Sequence, residues 1–392
     1  MREERQFHSI IEVIKSYRNQ RPLHLFLQHY FREHKQMGSN DRRLFNTWIY
    51  NYYRLGKALR NESVETRLAI SNFLLQNNSS PLGQYALNNF ANSIAADFNK
   101  SFEEKLIIIQ QHFSFQLNDV FPFKELVSED LSIEQFTLSL FHQPKVWIRI
   151  RKEFSDLVEQ EFLNKNISFQ KDTDHSLAWS VEQRTQLNEL KSFHSGYFEI
   201  QDFNSQRTGD FFKPNADEQW LDCCAASGGK SLLLHSIEPG IHLTVCDNRS
   251  SVLKNLQVRF NRAGIKKYNS IVGDLTNEIP AEWRDKKFDG IILDAPCTGS
   301  GTWARTPEQI YFFDLQRIFY FRELQRSILK NIAPLLKKGK LLIYITCSVF
   351  KEENEEQINF AKQNGLKIEN IVLLKGYNHE ADSMFVARMI KA

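Results

Sequence analysis

The sequence predicts an α/β fold: a doubly wound parallel sheet that ends in an antiparallel hairpin, preceded by a small α/β module and an N-terminal helical bundle. From about residue 215, strand-like and helical stretches alternate, which is typical of a parallel sheet with helices on both faces. The runs 290–293 and 341–345 are mostly apolar, as strands buried on both faces require. The last two strand-like runs have no helical stretch between them.

Residues 1–140 are predicted to form the helical bundle. In the stretch 23–31, apolar side chains recur at helical spacing. A second amphipathic stretch begins at Asp41 and places five large side chains on one face: Phe45, Trp48, Ile49, Tyr52 and Tyr53. Turn-forming residues at 38–40 separate the two stretches, and 77–81 forms another break. Helices joined by short turns are typical of a small bundle.

Between residues 141 and 210 the pattern becomes that of a small α/β module. Its predicted elements are a strand at Val146–Ile150, a helix at 152–163, and strands near 167–170 and 176–180. The interval 101–250 has 14 basic and 23 acidic side chains. This part of the chain is therefore unfavourable for binding nucleic acid.

Residues 211–392 are predicted to form the main sheet. The predicted strands are 219–225, 242–247, 269–274, 288–295, 340–347, 369–375 and 384–390. Helical stretches lie between most of these strands, whereas 376–383 is a turn. A doubly wound parallel sheet with a C-terminal antiparallel hairpin is typical of the Rossmann-like class I methyltransferases.

Charge is unevenly distributed along the 392 residues, whose net charge is +3. The first sixty residues carry 12 basic and 5 acidic side chains. This asymmetry suggests a polyanionic partner, although a solvated helical face would have the same composition. The N-terminus lacks the apolar stretch of a signal peptide, no apolar run reaches the length of a membrane span, and the five cysteines indicate reduced thiols. We therefore expect a cytoplasmic protein without membrane attachment.

A loop of small residues follows the first predicted strand of the main sheet. It consists of Cys224, Ala225, Ala226, Ser227, Gly228, Gly229 and Lys230. Such a loop lets the backbone approach a ligand closely, ahead of a helix N-terminus with unpaired N–H groups. The Gly-Lys-Ser sequence also occurs in P-loops, but Cys224 stands where that motif requires glycine.

Acidic residues end the next three predicted strands. Asp247 is placed to hold ribose hydroxyls, Asp274 to reach the amine of an adenine, and Asp294 follows. Each acid alone could equally be a helix N-cap. Together with the small-residue loop they predict an adenosine cofactor. The terminal hairpin favours S-adenosylmethionine over NAD.

Two cysteines follow adjacent strands of the predicted sheet, Cys297 after the fourth and Cys347 after the fifth. A lone cysteine at a strand end is usually a small buried side chain, which is our interpretation of Cys223 and Cys246. The spacing does not favour a metal site. A thiolate that adds to C6 of cytosine makes C5 able to attack a sulfonium methyl group. Asp294 can hydrogen-bond the N3 and N4 edge of the base, so this edge of the sheet predicts cytosine C5 methylation.

These motifs resemble the Sun/Fmu (RsmB-like) RNA cytosine-5 methyltransferases. The matching segments are 201–206, 221–230, 294–301, 346–348 with 353–355, and 382–388. The resemblance implies that Cys347 is the nucleophile, that Cys297 assists product release, and that Lys230 faces the active site. It also implies that 224–230, Asp247, Asp274 and Asp294 form the cofactor site. Ser227 stands where that family usually has proline, which predicts a looser loop.

The helical N-terminus, at 37–43 and 52–56, is similar to the NusB-like RNA-binding extension of bacterial members of that family. We therefore expect a monomer that methylates C5 of a cytosine in structured RNA, most simply ribosomal RNA, through a covalent Cys347–C6 adduct. The target base has to be unpaired or flipped out. Transfer RNA is an alternative substrate, and a catalytically silent RNA-binding factor is an alternative of another class. A DNA cytosine-5 methyltransferase would use Cys297 as nucleophile and would not need Cys347, so no DNA partner is expected.

Overall fold

The computed structural model describes residues 2–95 and 97–392. The α-helices, in chain order, are α1 (Arg2–Ser16), α2 (Leu23–Glu33), α3 (Ser39–Arg54), α4 (Val64–Leu75), α5 (Pro81–Phe90), α6 (Phe102–His112), α7 (Leu117–Val120), α8 (Ile133–Ser139), α9 (Ser155–Asn164), α10 (Lys191–His194), α11 (Phe203–Arg207), α12 (Gly229–Ile237), α13 (Ser250–Arg262), α14 (Glu308–Phe312), α15 (Gln316–Ile332) and α16 (Glu355–Gln363). The strands are β1 (Val146–Ile150), β2 (Phe169–Lys171), β3 (Ala178–Val181), β4 (Phe198–Ile200), β5 (Gln219–Asp222), β6 (His242–Asp247), β7 (Asn269–Val272), β8 (Phe288–Asp294), β9 (Leu336–Thr346), β10 (Leu366–Leu374) and β11 (Met384–Lys391).

The chain divides into two compact units, and the first of them is helical. Unit 1 contains the described residues up to Glu125, together with Ser132–Gln143 and Trp303–Asp314. The five large side chains predicted on one face of the second amphipathic stretch are all buried on α3. Burial of this face explains why the helix forms here, since packing stabilises an amphipathic helix more than its intrinsic propensity does.

Unit 1 includes a segment from far along the chain, Trp303–Asp314. Arg54 of α3 donates a hydrogen bond from Nη1 to the carbonyl oxygen of Ala304 over 3.0 Å, across 250 positions of sequence. The backbone N–H of Leu23 donates to Oε1 of the buried Glu308 over 3.3 Å. The helical unit therefore contains more than a continuous N-terminal stretch. The division into domains 1–140, 141–210 and 211–392 stays a prediction.

Unit 2 contains a small antiparallel sheet with the strand order β2-β3-β1-β4. The strand predicted at 146–150 is confirmed as β1. The helix predicted at 152–163 is α9, which begins at Ser155 because residues 152–154 form a turn of 3₁₀-helix. Trp179, Phe162 and Phe198 pack in the core of this small sheet.

The main sheet of unit 2 has the order β10-β11-β9-β8-β5-β6-β7. Strands β5 to β9 pair in parallel, and β11 runs antiparallel to both β9 and β10. The predicted fold class is therefore confirmed, including the terminal hairpin. Ile291 to Leu293 and Leu342 to Ile345 are fully buried, as strands covered on both faces require.

Strand β5 ends at Asp222, three residues before the predicted end, because the chain turns there into the small-residue loop. Strands β8 and β9 lie side by side in parallel, so their carboxyl ends reach the same edge of the sheet. Strand β5 is the other neighbour of β8. The loops predicted to carry the chemistry are thus brought to this edge. Within residues 2–95 and 97–392, no helix is long and apolar enough to cross a membrane.

Candidate active site

The two cysteine loops leave the sheet from the neighbouring strands β8 and β9. Two backbone hydrogen bonds of 2.8 Å tie these loops together, from Ala295 N to Ile345 O and from Gly301 N to Cys347 O. The Sγ atoms of Cys297 and Cys347 lie 3.4 Å apart, and both side chains are half-buried. The sheet therefore brings the two thiols into direct contact at its edge.

The two thiols have different surroundings. The hydrogen bond with Cys347, followed by burial and by the negative charge of Glu353, raises the pKa of the Cys297 thiol well above its ordinary value. Cys297 therefore keeps its proton at neutral pH. Because the thiolate is the nucleophilic form, these surroundings disfavour Cys297 for attack on a substrate.

A buried carboxylate, Glu353, joins the two cysteine loops. Its Oε2 atom accepts from Thr298 N over 2.9 Å and from Gln325 Nε2 over 3.1 Å. Its Oε1 atom accepts from Thr298 Oγ1 over 2.5 Å and from Ser348 Oγ over 2.6 Å. Thr298 and Ser348 each follow one of the two cysteines, so Glu353 fixes both loops relative to each other. Burial raises the pKa of Glu353 above its ordinary value, and its hydrogen bonds offset only part of that rise.

The contacts of Glu353 were not predicted from the sequence, although the residue lies in a segment that was singled out. A local pattern reports the face on which a side chain lies. It does not report that one carboxylate joins two loops that are 50 positions apart in sequence. The resemblance of 353–355 to a family motif was the available signal.

Lys230 and Asp294 form an ion pair at the same edge. The distance from Lys230 Nζ to Asp294 Oδ2 is 3.3 Å, and the side chain of Lys230 is 7% exposed while that of Asp294 is 33% exposed. Lys230 Nζ also donates to Ser205 Oγ over 2.7 Å. Since a buried ammonium group needs partners, these contacts hold Lys230 against Asp294. The carboxylate of Asp294 remains partly accessible, and Ser205 is a contact that the sequence did not predict.

A buried acid at the end of β5 precedes the small-residue loop. Asp222, the last residue of β5, is fully buried and accepts from Ser231 Oγ over 2.6 Å. Its other oxygen, Oδ1, has no hydrogen-bond partner among the described residues. Burial raises the pKa of Asp222 to about 7. The hydrogen bond between Asp222 and Ser231 therefore anchors the first turn of α12 to the end of β5.

The two glycines of the loop have different surroundings. Gly228 has φ of +83°, and a Cβ atom there would lie 2.8 Å from the ring of Phe260 and 2.9 Å from Leu256. Only glycine adopts this conformation without strain. A Cβ atom on Gly229, by contrast, would meet nothing within 4 Å. The loop is therefore packed at Gly228 and open at Gly229, as the approach of a ligand to the start of α12 requires.

Asp247, at the end of β6, lies against this loop. Its carboxylate is 5% exposed and accepts from Ala226 N over 3.0 Å. Arg249 binds the same carboxylate through its backbone N–H, over 2.9 Å, and through its guanidinium group, at 3.1 Å. A second backbone bond, from Ala225 N to Cys246 O, fixes the loop on β6.

Asp274 has a different environment from Asp247. It is exposed, and its carboxylate accepts from Thr276 Oγ1 over 2.6 Å and from Asn277 Nδ2 over 2.9 Å. The bonds from Thr276 lower the pKa of Asp274. Asp274 thus stabilises its own turn, which is the capping-type interpretation that the sequence left open.

The predicted looseness at Ser227 is countered by an arginine. Arg259 of α13 donates from Nη1 to Ser227 O over 2.9 Å and to Ser227 Oγ over 3.0 Å. Its Nη2 atom lies 2.9 Å from the buried carboxylate of Glu199, which also binds Arg262. Arg259 therefore holds the loop in place, and one of its two hydrogen bonds to Ser227 depends on the serine hydroxyl. Within residues 2–95 and 97–392, no group of three or more His, Cys, Asp and Glu side chains could hold a metal ion.

The seven-stranded sheet, with its terminal antiparallel hairpin and the loop that enters α12, has the Rossmann-like fold of the class I methyltransferases. Within that class, residues 210–389 match the family described as 16S rRNA methyltransferase RsmB/F. The predicted resemblance to the RsmB-like family is therefore confirmed.

Named relatives agree with this match. The chain is 32% identical over 223 residues to the ribosomal RNA small subunit methyltransferase B of Proteus mirabilis, covering 55% of this chain and 51% of that protein. It is 34% identical over 215 residues to the protein of the same name from Shewanella oneidensis, covering 52% and 50%. The chain thus spans about half the length of the curated relatives it matches.

Solved structures share the fold. The crystal structure of PH0851 aligns with a TM-score of 0.73 and 20% identity over 98% of both chains. NSun6 from Pyrococcus horikoshii, solved with SFG, aligns with a TM-score of 0.61 and 17% identity, covering 70% of this chain and 96% of that one. At these identities the likeness concerns the fold alone.

Proposed function

We propose that this protein transfers a methyl group from S-adenosylmethionine to C5 of a cytosine in ribosomal RNA. The observation that carries this proposal is the pair of thiols, Cys297 and Cys347, 3.4 Å apart on adjacent strand ends. Addition to the cytosine ring needs one thiol, and we assign the second thiol to release of the product, as the family resemblance implies. The family match and the names of the relatives support RNA, and ribosomal RNA in particular, as the substrate.

The chain's own groups provide the steps on the base. The Cys347 thiolate forms a bond from Sγ to C6 of cytosine, which shifts electron density to C5. Asp294, held by Lys230 at 3.3 Å, hydrogen-bonds the N3 and N4 edge and stabilises the adduct. After methyl transfer, C5 loses its proton to solvent, and the electron pair of that C–H bond restores the C5–C6 double bond as the C6–Sγ bond breaks. A neutral Cys297 thiol can protonate the departing sulfur of Cys347.

The cofactor site is proposed at the loop 224–230. The open space at Gly229 and the buried carboxylate of Asp247 fit an adenosine cofactor. The loop supplies backbone N–H groups at the start of α12, and the carboxylate of Asp247 lies against the same loop. When bound, S-adenosylmethionine supplies the electrophilic methyl group. Asp274 and Asp294 complete the proposed site, with Asp274 free to exchange its turn contacts for the adenine amine.

The first 140 residues are proposed to dock structured RNA, as their basic composition suggests. The small module 141–210 and the domain 211–392 would then orient and methylate the target. We also propose that the protein acts as a monomer in the cytoplasm, consistent with its five free cysteines.

The nucleophile assignment is tested by Cys347→Ala. This variant should lose methyl transfer to unmodified ribosomal RNA by at least a thousandfold, because C5 is then no longer activated. Binding of S-adenosylmethionine, measured by calorimetry, should stay within about twofold of the wild type. Turnover that survives in Cys347→Ala would disprove the assignment.

The release step is tested by Cys297→Ala. With ribosomal RNA and cofactor present, this variant should accumulate a covalent protein–RNA complex that survives heating and migrates as a shifted band on a denaturing gel. The double variant Cys297→Ala/Cys347→Ala is the matched control and should form no such band. If the single variant turns over normally and leaves no adduct, Cys297 has no role in release.

A further inference from the structure

Two neighbouring aromatic side chains on α15 are exposed to solvent. The chain has 31 Phe, 12 Tyr and 6 Trp residues. Within residues 2–95 and 97–392, only Phe319 and Tyr320 among these are exposed, at 51% and 63%. Exposed adjacent aromatics have a cost in water, since each leaves a large apolar surface unburied. Their exposure therefore calls for a ligand that covers flat rings.

The opposite face of α15 contacts the proposed active site. Ile318, Gln325, Ile328, Leu329 and Ile332 are buried on this helix. Gln325 donates from Nε2 to the carbonyl oxygen of Pro296 over 2.9 Å and to Glu353 over 3.1 Å. Pro296 directly precedes Cys297. The helix that carries the exposed rings is thus fixed to the cysteine loop.

The exposed rings lie close to that contact along the helix. Tyr320 precedes Gln325 by five positions, an axial separation of about 7.5 Å at the rise of an α-helix. One nucleotide of an extended single strand covers a similar length. Because the rings lie on the face of α15 opposite Gln325, a strand whose target base occupies the cysteine loops would pass around a helix about 10–12 Å across and reach the rings several nucleotides from that base.

The charge of α15 suits a polyanion. The helix carries Arg317, Arg322, Arg326 and Lys330 against one acid, Glu323. Phe319, Arg322, Arg326 and Lys330 follow one another at helical spacing along one face. The guanidinium group of Arg322 lies 5.1 Å from the centre of the Phe319 ring, and ion pairs with Glu323 and Glu352 hold it there. A fixed arginine beside exposed rings is a typical surface for stacking RNA bases.

We propose that Phe319 and Tyr320 form a stacking platform for unpaired nucleotides that flank the target cytosine in the RNA substrate. This inference rests on the proposed function for the identity of the RNA. The platform adds affinity and register for the strand, while the chemistry stays with the cysteine loops. Base–aromatic stacking tolerates any sequence, because every base has a flat π-face.

The test compares Phe319→Ala/Tyr320→Ala with the wild-type protein in steady-state methylation of unmodified small-subunit RNA. The KM for RNA should rise about tenfold, in line with the loss of stacking, while kcat and cofactor affinity stay within about twofold. Phe319→Tyr/Tyr320→Phe keeps both rings and should behave as the wild type. Leu163→Ala, which removes an exposed apolar side chain on α9, is the matched control and should leave KM unchanged.

Salt dependence separates stacking from charge. The slope of log affinity against log salt should be the same for the wild type and the alanine double variant, because stacking neutralises no phosphate. An unchanged KM in an active double variant overturns the platform and leaves the proposed function intact. A wild-type protein that methylates no cytosine in ribosomal RNA overturns the proposed function instead. Dimers that the double variant abolishes in sedimentation would assign the rings to a second copy of this chain and overturn the platform.

Discussion

At the scale of single residues, the site depends on side chains that do no chemistry on a substrate. Glu353 is fully buried and accepts four hydrogen bonds, which join the residues after Cys297 and Cys347. A carboxylate with this many donors can remain ionised in a buried position. Its charge lies near Cys297 and helps to keep that thiol protonated.

Replacing Glu353 by glutamine should therefore lower the pKa of Cys297, because the negative charge that opposes thiolate formation is removed. The comparison is made between Cys347→Ala and Cys347→Ala/Glu353→Gln, so that the contact between the thiols is absent from both. Alkylation of Cys297, followed against pH by peptide mass spectrometry, should have its midpoint at lower pH in the second protein. A midpoint that stays in place or moves upward would contradict the electrostatic role.

The same substitution should also cost stability. An amide nitrogen in place of one carboxylate oxygen cannot accept from Thr298 N or Gln325 Nε2, which leaves buried donors unsatisfied. We expect a loss of about 1–3 kcal/mol in the free energy of unfolding. Denaturant titration of both proteins measures this loss and shows whether the alkylation was carried out on folded protein.

Residue patterns predicted some of these positions and missed others. Cys297 and Cys347 were predicted to be close because parallel strands end at one edge, a rule that depends only on strand order. The brace from Arg259 to Ser227 and the bridge at Glu353 depend on side chains from distant segments, which no local period reveals. Asp274 shows a different limit of the sequence. An acid that follows a strand can bind a ligand or stabilise its own turn, and the local pattern is the same in both cases.

At the scale of elements, the loop between β5 and α12 combines two opposite requirements. It must turn sharply at Gly228, where φ is positive and the position is packed against Phe260. It must also remain open at Gly229, where α12 begins. The sequence predicted a loop that contains two glycines. It did not predict which glycine makes the turn and which leaves space for a ligand, because the two are adjacent and identical in sequence.

The two glycines form a matched pair for substitution by alanine. Gly228→Ala should destabilise the fold by about 1–3 kcal/mol, since an alanine there is strained and meets Phe260. Gly229→Ala should leave the free energy of unfolding unchanged or slightly higher, because alanine is favourable in a helix. It should nevertheless weaken S-adenosylmethionine binding about tenfold or more by filling the open space. Denaturant titration and calorimetry measure the two effects, and equal destabilisation by both would contradict this assignment.

Strand and helix positions were largely predictable, because apolar periodicity reports burial directly. The strand ends were less so. Strand β9 begins at Leu336, before the predicted 340, since Lys337 and Lys338 are exposed and interrupt the apolar pattern. A strand can extend through residues with exposed polar side chains, and the pattern of hydrophobicity gives no signal for that part of the strand.

At the scale of the whole molecule, charge distribution suggests where RNA docks. The basic excess of the first sixty residues belongs to unit 1, and its side chains Arg32, Lys35 and Arg43 are exposed. Deleting unit 1 would be a poor test of docking, because Trp303–Asp314 would lose the contacts that Arg54 and Leu23 provide. Neutral substitutions of surface charges leave that packing intact.

The triple variant Arg32→Gln/Lys35→Gln/Arg43→Gln should bind ribosomal RNA more weakly and with less salt dependence. Each lost phosphate contact reduces the slope of log affinity against log salt by roughly one, so a reduction of about 2–3 is expected. Lys165, Lys191 and Lys213, exposed in the acid-rich middle of the chain, provide the control when replaced by glutamine. Slopes that fall equally in both variants would argue against docking by unit 1.

The segment Trp303–Asp314 also has a consequence for the order in which the protein folds during its synthesis. Unit 1 is not complete until residue 314 has left the ribosome, although its other parts end at Gln143. At about 5–20 residues per second, roughly nine to thirty-four seconds separate the emergence of residue 143 from that of residue 314. During this interval Leu23 on α2 and Arg54 on α3 lack the hydrogen-bond partners that the segment provides. The nascent helical unit thus stays incomplete during this interval, and its completion requires prior synthesis of the Cys297 loop.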